Sequence, residues 1–357
     1  MTQPPAYATR EDVMRAIDAQ PSAKSARQID RALQSSSRDI DSLCHRVFYP
    51  TVATRYFNWP DSQYRPSWRI WLDDSELISL TSITSGGVAI NLADVLLEPN
   101  RSGPPYNRVE INLGSSAALG GGSTHQRDVG MTGLWAGCPL AETTVGTLTA
   151  AVASTTATTV TVTGAASAEL GVGSVLRVDT ERMLVTSRTM ASTGQTLAAD
   201  LAAQKNAVTI TVSDASGFAV DETILVGAER MLITDIAGTS LIVERSDGGS
   251  VLAAHTTGAT IYAPRTLTVT RGALGTTAAT HSSGASVVRW DPPGLVRDLT
   301  IAEALNRMTN EQAGYVRTKR ASGGLSSNDQ GLVARDLPSL REQVYAAHGR
   351  KARHRGV

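Results

Sequence analysis

Two overlapping repeats constrain this chain more than any other feature. Glu181-Arg182-Met183-Leu184-Val185-Thr186 recurs as Glu229-Arg230-Met231-Leu232-Ile233-Thr234, an offset of 48, and the same offset carries Val160-Thr161-Val162-Thr163 onto Val208-Thr209-Ile210-Thr211 without a gap. A second match has an offset of 26: Leu241 to Gly258, with Arg245 and His255, returns as Leu267 to Gly284, with Arg271 and His281. Such self-similarity implies one supersecondary unit used twice. The first unit has a front half and no nearby back half, whereas the last back half has no nearby front. The offsets therefore fit nesting: an inner module at about Ala203 to Tyr262 sits inside an outer one, and Arg177–Thr186 shares a sheet with Leu267–Arg289. Tandem repeats would instead place those two segments in separate modules. The surrounding region, Thr143 to Val288, is mostly Thr, Val, Ala and Gly, with short β-type runs between turn residues, an all-β composition.

Outside this region the composition differs. Phe48, Tyr49, Tyr56, Phe57, Trp59, Tyr64, Trp68 and Trp71 are eight of the sixteen aromatics, a cluster that suits a domain core or a surface buried by another subunit. Trp68, Ile70 and Leu72 alternate with Arg69 and Trp71 as in a half-buried strand, and Asp73-Asp74 break the pattern as a turn would. Leu77–Thr84 reads as the next strand. Ser85-Gly86-Gly87 reads as a tight hairpin into Val88–Ile90, in a β-meander that closes at Arg108–Leu113. Before it, Thr9 with Glu11 and Asp12 caps a short helix to about Ala19, stopped by Pro21. Ala26, Ile29, Leu33, Ser37, Ile40, Cys44 and Val47 then form one stripe of a longer helix ended by Pro50, with the aromatic β-region as the nearest surface for it to cover. After it, Gly114–Gly133 is rich in Gly, Ser and Ala and reads as a flexible connection.

From Trp290 the helical pattern returns. Asp291-Pro292-Pro293-Gly294 is an exit turn, Thr300 and Glu303 match a capping box, and Ile301, Leu305, Met308, Gln312 and Tyr315 form a stripe that can complete the N-terminal helices. Ala321–Gln330 is Gly/Ser/Asn-rich and is expected to be mobile or ordered only by a partner. Asp336-Leu337-Pro338 opens a last helix with Leu340, Val344 and Ala347 inward. A basic run, Arg350, Lys351, Arg353, His354 and Arg355, follows it. The expected fold class is α+β: a small helical domain with a β-meander, carrying a large all-β insertion of two repeated modules. The expected divisions are an adaptor-type domain at 1–113, a Gly/Ser-rich connection at 114–142, the insertion at 143–289 and a completing C-terminal part at 290–357.

Lys plus Arg and Asp plus Glu are both 33, so the formal net charge is zero. A balanced chain is not built to hold nucleic acid tightly by phosphate neutralisation, although a local basic segment can touch it. Cys44 and Cys138 stand without CxxC spacing, so neither a disulfide framework nor a zinc cage is expected, and Cys44 reads as a small buried apolar residue. Met1–Tyr7 lacks the basic start and apolar run of a signal peptide, and nothing is long and apolar enough to span a membrane, so a soluble, cytoplasmically made product is expected. There is no G-x-S-x-G turn before a helix and no phosphate-binding glycine loop. No enzyme activity, cofactor or metal is expected. His255 and His281 read as hairpin-end residues bonded to backbone. One residue of each Glu181-Arg182 and Glu229-Arg230 pair reads as solvent-exposed, since neighbours on a strand face opposite sides.

Several strings, taken in order, carry a resemblance. Tyr49-Pro50, Phe57-Asn58-Trp59-Pro60, Trp71-Leu72-Asp73-Asp74, Leu80-Thr81-Ser82-Ile83-Thr84-Ser85-Gly86-Gly87, Leu97-Glu98-Pro99-Asn100 with Gly103-Pro104-Pro105-Tyr106, and Leu340-Arg341-Glu342-Gln343-Val344-Tyr345 with Gly349-Arg350-Lys351 resemble the head-to-tail adaptor (head-tail connector) proteins of long-tailed bacteriophages, especially those infecting actinobacteria. The Glu-Arg-Met-Leu and Thr-Arg-Gly-Ala-Leu-Gly-Thr strings of the β-rich region resemble the insert of longer members. The resemblance implies a structural virion protein of the phage neck, assembled in the host cytoplasm. It implies a homo-oligomeric ring, as a rule a dodecamer, that binds the portal protein above and a downstream neck protein or tail terminator below. Double-stranded DNA would pass through the lumen, at genome ejection too, without sequence-specific binding. The tail residues Arg350, Lys351, Arg353, His354 and Arg355 would meet portal or DNA, and Trp59, Trp68, Trp71, Gly86, Gly87 and Tyr106 would lie at a subunit or tail-side interface. No membrane is involved. Compact members lack the β-insert. Two other classes compete: a minor tail or surface-display protein whose β-modules bind a glycan, and a hydrolase.

Overall fold

A computed structural model describes residues 4–17, 23–60, 66–312 and 328–350. Of its residues 24% are helical and 36% lie in strands, an α+β composition dominated by sheet. Among the described residues no helix is long and apolar enough to cross a membrane. Two compact units arise from interleaved segments. The first takes the described parts of Met1–Ile40, Glu142–Ala273 and Thr277–Val344; the second takes those of Asp41–Ala141, Leu274–Thr276 and Tyr345–Val357. One limit, between Ala141 and Glu142, falls beside the composition step at 143, whereas none follows the steps at 113 and 289, because apolar contacts made far along the chain help decide which segments cohere.

Helix α1 (Arg10–Ile17) starts where the sequence places it. The Asp12 amide donates to Thr9 Oγ1 at 3.1 Å, and the Thr9 amide to Asp12 Oδ2 at 2.8 Å, a reciprocal cap with Asp in the place of the usual Glu. Helix α2 (Ala23–Cys44) stops before Pro50, at His45, which adopts a positive φ of 53°. Its Ile29 and Leu33 do not turn to the aromatic β-region. They share a core with Ala6, Val13 and the Ala304 and Met308 side chains of a later helix. Val47 lies beyond the helix and is exposed.

The second unit holds β1 (Thr51–Phe57), β2 (Arg69–Trp71), β3 (Leu77–Ser85), β4 (Val88–Ile90), β5 (Val95–Glu98), β6 (Arg108–Ile111) and β7 (Val129–Trp135). They form two antiparallel sheets, in the orders β1-β7-β3-β4 and β2-β6-β5, in place of one meander. Ile70, Leu72, Leu77, Ile83, Val109, Met131 and Trp135 fill the core of this unit. Strand β7 corrects the flexible connection expected over Gly114–Gly133. It is a central strand, flanked by β1 and β3. Its glycines serve close approach: a Cβ on Gly133 would stand 2.3 Å from Ser79 O, and one on Gly130 would stand 3.0 Å from Thr84 Oγ1.

The β3–β4 turn uses Gly86 and Gly87 at φ of +59° and +81°. A Cβ on Gly86 would meet the backbone of Gly121 and Gly122 at 2.6 Å, whereas one on Gly87 points into open space. Gly87→Ala is expected to cost about 1–2 kcal/mol for its left-handed φ alone. Gly86→Ala should add about 1–3 kcal/mol of overpacking. Thermal melts of the two variants check this; equal losses would contradict it.

The first unit holds β8 (Glu142–Thr147), β9 (Thr159–Thr161), α3 (Gly164–Glu169), β10 (Val175–Val178), β11 (Glu181–Thr196), β12 (Thr209–Thr211), β13 (Thr223–Val226), β14 (Glu229–Ala237), β15 (Ser240–Arg245), β16 (Thr260–Thr270) and β17 (Ser286–Trp290). They make one ten-stranded sheet, β12-β15-β14-β13-β16-β11-β10-β17-β8, with β9 also on β16. Hairpins β10–β11 and β13–β14 have matching registers, Val178 opposite Glu181 and Val226 opposite Glu229. Long strands β11 and β16 pair from Leu184↔Thr270 to Thr196↔Thr260, and β10 pairs β17. One apolar core collects Val145 to Val185 together with Leu267 to Val287; a second collects Leu197 to Ala263. Every residue of the second core thus lies in sequence between residues of the first.

Helix α4 (Gly294–Gln312) begins directly after Pro292-Pro293, six residues before the expected cap. Thr300 is buried inside it and donates from Oγ1 to Val296 O at 2.7 Å, while buried Glu303 accepts from Arg341 Nε at 2.7 Å. The T-x-x-E spacing there is not a cap. Helix α5 (Asn328–His348) starts ahead of Asp336 and carries Pro338 within it. Val344 is buried but Ala347 is exposed. Tyr64, Tyr315 and most of the loop Ala321–Gln330 lie outside the described residues.

Candidate functional site

A concavity of about 1200 Å³ belongs wholly to the second unit. The end of α2 and the following turn supply Asp41, His45 and Arg46; β1 supplies Arg55; the turn after β2 supplies Asp73, Asp74 and Glu76; Trp71 and Trp135 contribute rings, and the end of α5 contributes Gly349 and Arg350. Glu76 is the electrostatic centre. Arg46 Nη2 lies 3.0 Å and Arg350 Nη2 3.4 Å from its carboxylate oxygens. Burial pushes the Glu76 carboxyl upward, against the pull of Arg46, Arg350 and Arg55, and leaves it above the usual carboxylate value. Arg55 stacks its guanidinium over the Trp135 ring at 4.6 Å, and burial holds its pKa below the ordinary arginine value.

Arg350, first of the basic run, is firmly seated. Its amide donates to Cys44 O at 2.9 Å, and its guanidinium bonds the Asp74 carboxylate and, at 3.1 Å, Asp74 O. Two residues back, the His348 ring packs edge-on against buried Phe48 at 5.8 Å. Lys351, Arg353, His354 and Arg355 lie outside the described residues.

The six residues expected at an interface are all in this unit and are not equivalent. Trp59 and Tyr106 are half-buried against its core; the Trp59 amide donates to His125 O at 3.2 Å. Trp68 and Trp71 are half-exposed, each under a guanidinium, Arg69 at 4.5 Å and Arg108 at 4.9 Å. Gly86 is held by its turn, and Gly87 is exposed. Among the described aromatics of the region, the exposed one is instead Tyr56, 63% accessible on β1. The two thiols are buried, which pushes Cys44 up to about 11 and Cys138 up to about 12, far from a reactive thiolate.

In the first unit the structure assembles two side-chain clusters whose members the sequence reading left apart. Glu229 accepts from Arg245 Nε at 2.7 Å and Nη2 at 2.8 Å, from the Ser246 and Ala253 amides, and faces His255 Nε2 at 2.9 Å. Glu181 repeats the pattern with Arg271, the Gly272 and Ala279 amides and His281 Nε2, also at 2.9 Å. The imidazole rings are therefore bonded to carboxylates, and the backbone bonds of these two residues, to Leu201 and Val152, come from their own main chain. Neither Glu181 nor Arg182 is exposed, because Arg182 pairs with Glu142 at 3.0 Å. Both carboxylates are saturated with donors, which makes these clusters structural struts rather than acid–base sites. The signal lay in the shared Arg-to-His spacing and the repeated Glu, although neither names the partner.

No family model, curated protein or solved structure matches this chain.

Proposed function

We propose that this chain is a structural subunit of a phage neck, forming a homo-oligomeric ring that joins the portal at the capsid vertex to the tail and lets DNA pass through its lumen. The ordered strings from Tyr49-Pro50 to Gly349-Arg350-Lys351 suggest it. The observation that carries it is the seating of Arg350 on Cys44, Asp74 and Glu76. Those bonds set Tyr345 and Gly349-Arg350 in the same compact unit as the strings from Tyr49 to Tyr106, while Leu340–Val344 belongs to the other unit. Half-exposed Trp68 and Trp71, each already stacked on a guanidinium, and accessible Tyr56 supply the rigid amphipathic area that permanent contacts use.

The β-rich region is, in this reading, a nested insertion: a module on the Leu197–Ala263 core placed within one on the Val145–Val185 and Leu267–Val287 core. A glycan-binding surface protein would want a shelf of accessible rings there. The region offers only Tyr262, since Phe218 is covered by Arg265 at 5.1 Å.

Electron microscopy of the purified protein mixed with the portal oligomer of the same virus tests the reading. A second ring on the tail-facing end is expected, and its loss on deleting residues 351–357. Absence of any portal-bound ring would refute the neck assignment; an unchanged ring after the deletion would refute only the role of the basic run.

A further inference from the structure

We propose that the cleft bounded by α1, β11 and β14 in the first unit binds a small aliphatic carboxylate, its anionic end on Arg188 and Arg230 and its chain against Met14, Met190, Leu232 and Pro264. These residues line one cavity of about 220 Å³, the size for a ligand of a few carbons rather than a drug-sized one. Two guanidiniums in its wall are short of anions. Arg188 is 14% exposed at its side chain, yet its one carboxylate contact is long, Nη1 to Glu11 Oε1 at 3.4 Å. Its Nη2 donates to two neutral acceptors, Ser167 O at 2.6 Å and Ser167 Oγ at 3.3 Å, and its buried Nε donates to nothing among the described residues. Burial holds the Arg188 pKa below the ordinary arginine value despite Glu11. A buried donor without an acceptor marks a place where something further completes the structure.

The internal repeat supplies an independent argument. Arg230 stands 48 residues after Arg182, at the same place in its hairpin, Arg182 opposite Arg177 and Arg230 opposite Leu225. In the outer module Glu142 neutralises Arg182 at 3.0 Å and Arg177 at 2.6 Å. In the inner module no ion pair joins half-buried Arg230 to a carboxylate among the described residues, and Arg230 lines the cavity. A ligand carboxylate would do for Arg230 what Glu142 does for Arg182. The acids already in the wall do not supply it. Glu11 is taken by the Val172 amide at 2.7 Å and by Arg188, Asp247 has a partner of its own, and Asp221 is exposed, where water weakens its pull. The site lies wholly in the first unit and stands whether or not the neck assignment does.

Isothermal titration of the full chain with sodium hexanoate provides the test, beside sodium acetate and the neutral isostere hexanamide. Hexanoate is expected to bind one to a chain with a Kd of about 1 mM or tighter. Acetate should bind at least about tenfold more weakly, because it lacks the methylenes that the apolar wall would cover. Hexanamide should also bind at least about tenfold more weakly, because it leaves the buried guanidinium uncompensated. Arg230→Gln should lose about tenfold or more in hexanoate affinity while melting like the parent. Met190→Glu, which sets a carboxylate in the wall itself, should abolish hexanoate binding by a second route. No heat from hexanoate up to about 20 mM in the unmutated chain would overturn the proposal, and so would equal affinity for hexanamide, neither of which depends on how a variant folds. Hexanoate binding left intact by both substitutions would overturn the assignment to this cleft.

Discussion

Arg245→Ala is expected to unfold the module built on the Leu197–Ala263 core at markedly lower urea concentration, with a loss of about 3–5 kcal/mol. The guanidinium is fully buried against Glu229, and it also donates to the carbonyls of Ala202 and Ala207 at 3.0 Å and of Ala253 at 2.8 Å. Removing it strands a buried carboxylate and three carbonyl oxygens at once. The neighbouring Glu244 is exposed on the same strand, so Glu244→Ala should stay within about 0.5 kcal/mol. A double variant, Glu229→Gln/Arg245→Met, should recover only the part of the loss due to the lone charge, since the carbonyls of Ala202, Ala207 and Ala253 still lack their donor. Denaturation followed by circular dichroism decides. If Arg245→Ala and Glu244→Ala melt alike, the cluster is not a strut.

Acid should weaken both modules together. Burial by itself pushes the Glu181 and Glu229 carboxyls up, but the bonds from Arg271 and Arg245, from backbone amides and from the two histidines outweigh it and hold each at about 2. A carboxyl with a depressed folded value binds its proton more readily in the unfolded chain, whose ordinary value is 4.5. Its stabilisation is therefore complete above pH 4.5 and drains away as pH falls toward 2. Melting temperature should be nearly level from neutrality to about pH 5 and then drop steeply. Replacing both glutamates by glutamine should lower the plateau and flatten the drop. A wild-type profile level down to pH 2 would show that these carboxylates are not coupled to folding.

Local chemistry was readable in advance wherever the decisive neighbours lie within a few residues. The Thr9–Asp12 cap, the buried stripe Ile29, Leu33, Ser37 and Ile40, the Gly86-Gly87 turn and the paired Glu-Arg-Met-Leu hairpins all answer to periodicity, capping or φ requirements, which act over a turn of helix or a hairpin. The same rules misread Thr300 and Glu303, because T-x-x-E spacing also arises inside a helix when threonine bonds back to the preceding turn, here Val296. They misread Val129–Trp135 as linker because glycine marks flexibility and close packing alike, and only the approach of Ser79 and Thr84 tells which.

Residue types and spacing alone settled that the chain would pair short β-type runs in duplicate and flank them with amphipathic helices. Which runs would join was settled by closure in space. Glu229 meets Arg245 across a single hairpin, but Glu181 meets Arg271 and His281 only after the whole inner core has intervened. A buried carboxylate must find its donors wherever the chain can bring them, and that demand leaves no mark on the residues beside it. The same holds for the site: an acidic turn at Asp73-Asp74 and an arginine at 350 became one wall of a cavity through tertiary contacts, since charge type is written locally and its partner is not.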